Sequence, residues 1–243
     1  MAETRFHTMP DGRKIAFRHA KGTDPAIVFL PGYMSDMAGS KATVMFDWAE
    51  ANGRECLLFD YSGCGESPGD FAEGTLSRWQ DEAASLIDGH IDGTIVLVGS
   101  SMGGWLALLL GRALGSRLGA LVGIAAAPDF TDWGYSADQQ EQLAAGATVF
   151  FNNPYGPEPT PTHPAFWSDG QERRLLGSEI ALDCPVRLLH GQDDADVPPE
   201  LSLKLARALR SQDVQVTLVK GGDHRLTRDS DLALLLRTVA ALS

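Results

Sequence analysis

Cysteine is scarce in this chain. The three present, Cys56, Cys64 and Cys184, are scattered, odd in number and in no C-x-x-C arrangement, which argues against a disulfide framework and against a cysteine-held zinc site. A reducing, cytoplasmic setting is the expectation that follows. Basic residues are also in short supply: 20 Lys and Arg stand against 32 Asp and Glu, a net charge of -12. Such a surface repels nucleic acid and anionic membranes, so neither is expected as a partner. No apolar run is long enough to span a bilayer. The stretch from Met1 to His7 has neither the basic nor the apolar region of a signal peptide, so no export is expected. Internal repeats and low-complexity tracts are missing as well.

What remains is 243 residues, 44% of them apolar, enough for the core of a single large α/β domain. A hairpin is expected from Thr4 to His19, turning at Pro10-Asp11-Gly12. Short apolar strands follow at 26–30, 55–59, 94–98, 118–125, 185–190 and 214–219. Helical patterns separate them, at 40–52, at 76–88 behind a Thr75 cap, at 105–114, at 200–210, and at 232–242 behind a Ser230 cap. Apolar strands alternating with helices imply a mostly parallel sheet with helices on both faces. Sites in such sheets lie beyond the C-terminal strand ends. Here those ends are the regions of Gly32, Asp60, Ser101 and Pro128.

One of them carries a nucleophile pattern. Gly99-Ser100-Ser101-Met102-Gly103 is a G-x-S-x-G run with an apolar strand before it and an apolar, Leu-rich helix after it. A strand that reverses into a helix within so few residues strains the central serine and lifts its hydroxyl clear of the turn. The helix start aims its free N–H groups at the same place. Gly65-Glu66-Ser67-Pro68-Gly69 fits the same pattern, yet no strand runs directly into it and Pro68 has no N–H to donate. Ser101 is therefore the candidate nucleophile.

From Asp129 to Gly177 the strand pattern stops. Prolines accumulate at 154, 157, 159, 161 and 164, and aromatics cluster at Phe130, Trp133, Tyr135, Phe150, Phe151, Tyr155, Phe166 and Trp167. Residues 136–151 are expected to hold one helix. The segment reads as a small cap insertion over the sheet edge, with Phe150, Phe151 and Trp167 as candidates for lining an apolar acyl pocket.

A serine hydroxyl needs a base, and the base an orienting acid. Only His190 and His224, of six histidines, sit at late strand ends. His190 precedes a glycine and is expected to make a structural hydrogen bond. His224 follows Gly221-Gly222-Asp223 after the last strand, in the chain order serine, acid, histidine. Asp193, Asp194 and Asp196 crowd one turn after the strand at 185–190, and any of the three could be the acid.

Over nearly its full length the chain resembles the α/β-hydrolase fold. The resemblance rests on Leu30-Pro-Gly-Tyr33, Asp60 to Ser67, Gly99 to Gly103, Gly191 to Pro198 and Gly222-Asp-His224. The family's acid pattern, G-x-x-D-x-x-V-P, laid on Gly191 to Pro198, implies Asp194. The family also implies an oxyanion hole made by the backbone N–H groups of Tyr33 and Met102. Pro31-Gly32 stands where many relatives have His-Gly, a departure that leaves the Tyr33 donor in place. More narrowly, residues 30–42 with Gly222 to Arg225 resemble the branch of mitochondrial palmitoyl-protein thioesterases that also cleave acyl glucuronides. A mitochondrial presequence is not seen here, so a bacterial relative is expected.

The resemblance implies a serine hydrolase acting on a small ester or thioester, or on an acylated protein, with no metal or organic cofactor. A serine at position 101 argues against a dehalogenase or epoxide hydrolase, which need a carboxylate there. A cofactor-free haloperoxidase would use the same triad. A non-catalytic binding protein on this fold would be expected to lack a triad member.

Overall fold

The computed structural model describes residues 3–153 and 156–243; Pro154 and Tyr155, counted above among the prolines and aromatics, and Met1 and Ala2 lie outside the described residues. Among the described residues ten strands and eight α-helices are formed: β1 Arg5–Thr8, β2 Lys14–Ala20, β3 Thr23–Leu30, α1 Ser40–Ala51, β4 Arg54–Phe59, α2 Leu76–His90, β5 Ile95–Ser100, α3 Met102–Leu114, β6 Leu118–Ile124, α4 Phe130–Trp133, α5 Ala137–Ala144, β7 Val149–Phe151, β8 Thr160–Thr162, α6 Pro164–Glu172, β9 Val186–Gly191, α7 Glu200–Ala208, β10 Val214–Val219 and α8 Asp229–Ala240. Eight strands make one sheet in the order β1-β2-β4-β3-β5-β6-β9-β10. β1 and β2 are antiparallel, β2 meets β4 antiparallel, and every later pairing is parallel. This is the α/β-hydrolase architecture that the sequence leads one to expect.

The strand sequences look unbroken in hydrophobicity because both faces are covered, and the pleat sorts them. Val28, Leu30, Leu57, Phe59, Ile95 and Leu97 point to one side, where Trp79, Ala83 and Leu86 of α2, the apolar length of α3 and Leu205 of α7 cover them. Ile27, Phe29, Cys56, Leu58, Val96 and Val98 point to the other, against Met45, Phe46 and Ala49 of α1 and Leu235 and Val239 of α8. Ala26 to Leu30 of β3 and Ile95 to Val98 of β5 are 0–3% exposed. Parallel register brings their C-terminal ends to one edge, with Leu30 beside Gly99, Ser100 beside Ile124 and Gly191 beside Val219.

Local signals hold at several boundaries. The Thr75 hydroxyl accepts from the Arg78 N–H and caps α2. Elsewhere the structure corrects the expectation. α3 begins at Met102, three residues before the apolar run. α8 begins at Asp229, so Ser230 lies inside it; Arg228 and Asp231 exchange the capping bonds instead. The helix expected over 136–151 ends at Ala144, before Gly146 at φ +89°, a conformation that suits glycine and terminates the helix. Strands also do not stop after Asp129: β7 and β8 pair antiparallel as a separate two-stranded sheet. α6 was not foreseen; Pro164 opens it at a position where a missing N–H costs nothing. Among the described residues no helix is long and apolar enough to cross a membrane.

Residues 129–177 leave and rejoin the body at one place. The Asp129 carboxylate accepts from the backbone N–H groups of Leu175 and Leu176 at 2.7 and 2.8 Å. The Ser77 backbone and hydroxyl both donate to Asp169, which ties α6 to α2.

A Cβ at Gly103 would collide with the carbonyl oxygens of Leu30 and Pro31. Backbone cannot give way there without shifting β3, so Gly103→Ala is expected to destabilise the fold by about 1–3 kcal/mol, the usual cost of overpacking. Urea unfolding of wild type and variant measures it; a change within experimental scatter would show that the approach is looser than described.

Candidate active site

Ser101 sits at the junction of β5 and α3 with φ 54° and ψ -119°. A non-glycine residue holds such a conformation only where its surroundings over-determine it. They do so here. The Ser101 N–H donates to Ile124 at 2.9 Å, and its carbonyl accepts from Gly104 at 2.9 Å and Ala127 at 3.1 Å. Glycine is required on both sides of the turn, since a Cβ at Gly99 would strike the Gly103 carbonyl. The rival serine is spoken for: Ser67 is buried, its hydroxyl donating to the Asp60 carbonyl at 2.7 Å and accepting from Ala16 at 2.8 Å.

His224 follows β10. Its Nε2 is 3.1 Å from Ser101 Oγ and its Nδ1 is 2.9 Å from Asp194 Oδ2. Asp194 is acceptor-only when ionised, so Nδ1 carries the proton and Nε2 presents a lone pair to the serine hydroxyl. The loop is pinned from outside by Lys41 of α1, whose ammonium donates to the Arg225 carbonyl at 2.6 Å. Asp193 N–H donates to the Gly222 carbonyl at 2.9 Å and joins the acid loop to the histidine loop.

Asp194 has a fully buried side chain that is saturated with donors. Oδ1 accepts from the N–H groups of Asp196 and Val197 at 2.9 and 2.8 Å. Oδ2 accepts from His224 and, at 3.1 Å, from His190 Nε2. Burial pushes this carboxyl up, but hydrogen bonds from His190, His224 and Val197 outweigh it and hold the group well below the usual carboxylate range. Of the three candidate acids Asp194 is hydrogen-bonded to His224, whereas Asp193 and Asp196 are exposed. His190 makes the structural hydrogen bonds expected of it, and more. Its Nε2 faces two acceptors, Asp194 and the Val197 carbonyl at 3.0 Å, so the ring N–H lies on Nε2, and Nδ1 accepts from the Ser202 hydroxyl at 2.7 Å. Nothing in the sequence around His190 announced its contact with Asp194.

Tyr33 lies on the loop after β3. Asp60 at the end of β4 accepts from the Met37 N–H at 2.6 Å, and the Tyr61 hydroxyl donates to the Pro31 carbonyl at 3.2 Å. Together they fix that loop. A Cβ on Gly32 would come to 3.5 Å from the Ser101 Cβ, so the loop runs directly beside the serine. Among the described residues the Tyr33 N–H has no hydrogen-bond acceptor. The Met102 N–H is the first of α3 and shares the unpaired state of helix starts.

Ser101 and His224 open onto a cavity of about 200 Å³ whose other walls include Ala127, Phe130, Trp133, Tyr135, Phe151, Thr160, Thr162 and Val197. Of the three aromatics expected at an acyl pocket, Phe151 is there. Phe150 is not: one step along β7 it faces the opposite way and is 62% exposed. Trp167 packs with Tyr135, Leu143 and Val149, its indole N–H donating to the Thr131 carbonyl at 2.9 Å. Phe130, Trp133 and Tyr135 line the cavity instead. They follow β6 almost at once, and proximity to a C-terminal strand end was the signal that would have found them.

Asp194, Asp196 and His224 offer atoms within 4.8 Å of one another, close enough for metal ligands. The Asp194 Oδ2 and His224 Nδ1 atoms, however, share a proton at 2.9 Å, which an ion would have to displace. The arrangement reads as an oriented acid–base pair.

The sequence profile of the alpha/beta hydrolase family matches residues 27–238. The human mitochondrial palmitoyl-protein thioesterase ABHD10 is 36% identical over 238 residues, 96% of this chain and 78% of that protein. Mouse alpha/beta hydrolase domain-containing protein 10 superposes with a TM-score of 0.92 at 35% identity, covering 99% of this chain and 98% of that one. A structure described as a hydrolase from Agrobacterium vitis S4 gives the same TM-score at 38% identity, over 99% and 98% of the two chains. A family match over most of the length, joined to the strained serine turn and the parallel sheet that carries it, means that this chain belongs to the alpha/beta hydrolase family.

Proposed function

We propose that the protein hydrolyses carboxylic esters or thioesters through Ser101, His224 and Asp194, with Tyr33 and Met102 supplying the oxyanion donors. The observation that carries this reading is the continuous hydrogen-bond chain Ser101 Oγ to His224 Nε2 at 3.1 Å and His224 Nδ1 to Asp194 Oδ2 at 2.9 Å. The thioesterase name of the human relative points to the same bond class.

In this mechanism His224 Nε2 takes the Ser101 proton as Oγ attacks the carbonyl carbon. The imidazolium that forms is stabilised by the buried Asp194 carboxylate, which stays ionised. Negative charge on the carbonyl oxygen meets the Tyr33 and Met102 N–H groups, each worth roughly 3 kcal/mol in comparable sites. His224 then passes its proton to the departing alcohol or thiol, leaving an ester on Ser101. Water, deprotonated by His224, cleaves that ester and restores the serine. Residues 129–177 act as a small cap on a single domain, supplying the aromatic wall for the acyl group. A cytoplasmic setting is our reading for three cysteines that are free in the structure; the ABHD10 relatives are named as mitochondrial.

Ser101→Ala and His224→Ala are each expected to cut turnover of a nitrophenyl ester by roughly 10⁴-fold or more with the fold intact by circular dichroism. A fluorophosphonate probe should label wild type and fail to label Ser101→Ala. Near wild-type turnover in either variant removes the assignment, and an unlabelled wild type makes this a binding protein on the same fold.

Asp194→Asn should slow turnover about 10³- to 10⁴-fold, while Asp193→Asn and Asp196→Asn stay within a few-fold of wild type. An equal loss at either neighbour would reassign the acid.

The same residue makes a statement about acid stability. Asp194 titrates below its ordinary value of about 3.9 in the fold, so its charged form stabilises the protein above about pH 4, and that contribution fades as pH falls through the folded pKa. The stability gap between wild type and Asp194→Asn in urea is expected to narrow from pH 7 to pH 3. A gap that stays constant would mean that the carboxylate's hydrogen bonds contribute nothing net.

A further inference from the structure

Two segments singled out in the sequence, residues 30–42 and Gly222 to Arg225, meet in space. Lys41 of the first and Arg225 of the second are 184 residues apart, and the Lys41 ammonium donates to the Arg225 carbonyl at 2.6 Å. That carbonyl belongs to the residue after His224. The anchor behind the ammonium is rigid: Lys41 lies in the first turn of α1, whose Ala42, Met45, Phe46 and Ala49 are buried in the core on that side of the sheet. The loop it reaches hangs from a less secure support. β10 is the last strand of the sheet, with β9 as its neighbour, and none of its residues is buried.

Ahead of His224 the loop is fixed to the acid loop. The Asp193 N–H donates to the Gly222 carbonyl, and Gly191 lies so near that a Cβ on it would strike the same oxygen. Behind His224 the chain turns sharply. Leu226 stands at φ 47°, and its N–H donates to Asp223 Oδ1 at 2.9 Å. That bond lies within the loop and ties it to nothing else. Two contacts do join the downstream half to α1: the Lys41 bond, and the buried Leu226 side chain, which sits in the core cluster of Met45 and Phe46. Apolar contact is non-directional, whereas a hydrogen bond prefers one distance and one line. Of the two, Lys41 is the contact that sets where the backbone beside His224 stands.

We propose that Lys41 is a positioning residue for the reaction: through the Arg225 carbonyl its ammonium holds the His224 loop so that Nε2 stays on Ser101, and the charge on the nitrogen keeps that hold strong. The proposal rests on the reading of His224 as the base. Burial, and next the Arg225 guanidinium, bring the pKa of the Lys41 ammonium down to about 8, with Asp223 pulling the other way. On the elements packed against α1, charged groups are paired with others: His19 of β2 with Glu55 of β4, Arg18 of β2 with Glu66, and Asp231 of α8 with Arg228. As pH rises through 8 the nitrogen becomes a neutral amine. It still donates to the carbonyl, but a neutral donor's bond is about half as strong as a charged one's.

The test is kcat and KM for a nitrophenyl ester between pH 6 and pH 10, corrected for spontaneous hydrolysis. Wild-type kcat is expected to fall severalfold in a step centred near pH 8. Lys41→Met removes the donor and should lower kcat at pH 7 by roughly tenfold, the low end for losing a bond from a charged group. Its KM should stay within about twofold, because ester binding is untouched, and its kcat should show no step at pH 8. Lys41→Arg keeps charge and donor; it should recover most of the lost kcat and carry no step below pH 10. If circular dichroism shows Lys41→Met unfolded, Lys41→Gln takes its place, with a smaller loss at pH 7 and the same missing step. Wild-type kcat that is flat to pH 10, a step near pH 8 that persists in Lys41→Arg, or a Lys41→Met enzyme with wild-type kcat at pH 7 each overturns the proposal. The hydrolase reading is judged separately, by turnover of Ser101→Ala at pH 7, so failure of one does not mimic failure of the other.

Discussion

The start of α3 lies so close to the end of β3 that Gly103 touches the carbonyl oxygens of Leu30 and Pro31. Everything at the site depends on that approach. It turns β5 into α3 within one residue, and Ser101 is left at φ 54° with its hydroxyl raised. It draws the loop after β3 alongside the same turn, so Gly32 lies against Ser101 and the Tyr33 N–H is carried with it. Ser101 and the Tyr33 N–H are thus brought together by one close approach between backbones. The strain at Ser101 is sustained because the sheet on either side is almost fully buried and has no slack to release it.

The second constraint is a buried charge. An ionised carboxylate inside a protein is costly unless its lone pairs are met, and Asp194 meets four donors, two from backbone and two from imidazoles. His190 and Ser202 behind it are themselves buried and hydrogen-bonded, so the carboxylate is held from the far side as well as by His224. One oxygen is shared between the two rings. The histidine facing the serine therefore has a fixed tautomer and a fixed partner, and the second histidine holds that partner still.

The central strands could be read from the sequence because each is a short apolar run with both faces buried. Ser101 and His224 were legible for a related reason: a strand that turns at once into a helix, and a glycine-rich loop after the last strand, are local features. Choosing Asp194 among three neighbours took the family pattern, since the residue types alone are identical. The segment after Asp129 was read least well. β7 and β8 are three residues each and pair only with each other, too short to show a period. Hence Phe150 and Phe151 looked equivalent, although the pleat sends them to opposite sides. The role of His190 comes from its contact with Asp194, 4 residues away, which a loop reversal hides.

The carboxylate of Asp129 receives the N–H groups of Leu175 and Leu176, so the segment between them begins and ends at a single point on the body. Such a segment is a closed loop as far as the sheet is concerned. Its length can change at an entropic cost that grows only slowly, and neither β6 nor β9 is displaced when it does. Under the proposed function, the half of the pocket assigned to the acyl group is therefore exchangeable, whereas the half assigned to the chemistry is not. On that reading, rewriting one insertion changes what the pocket accepts and leaves Ser101, His224 and Asp194 in place.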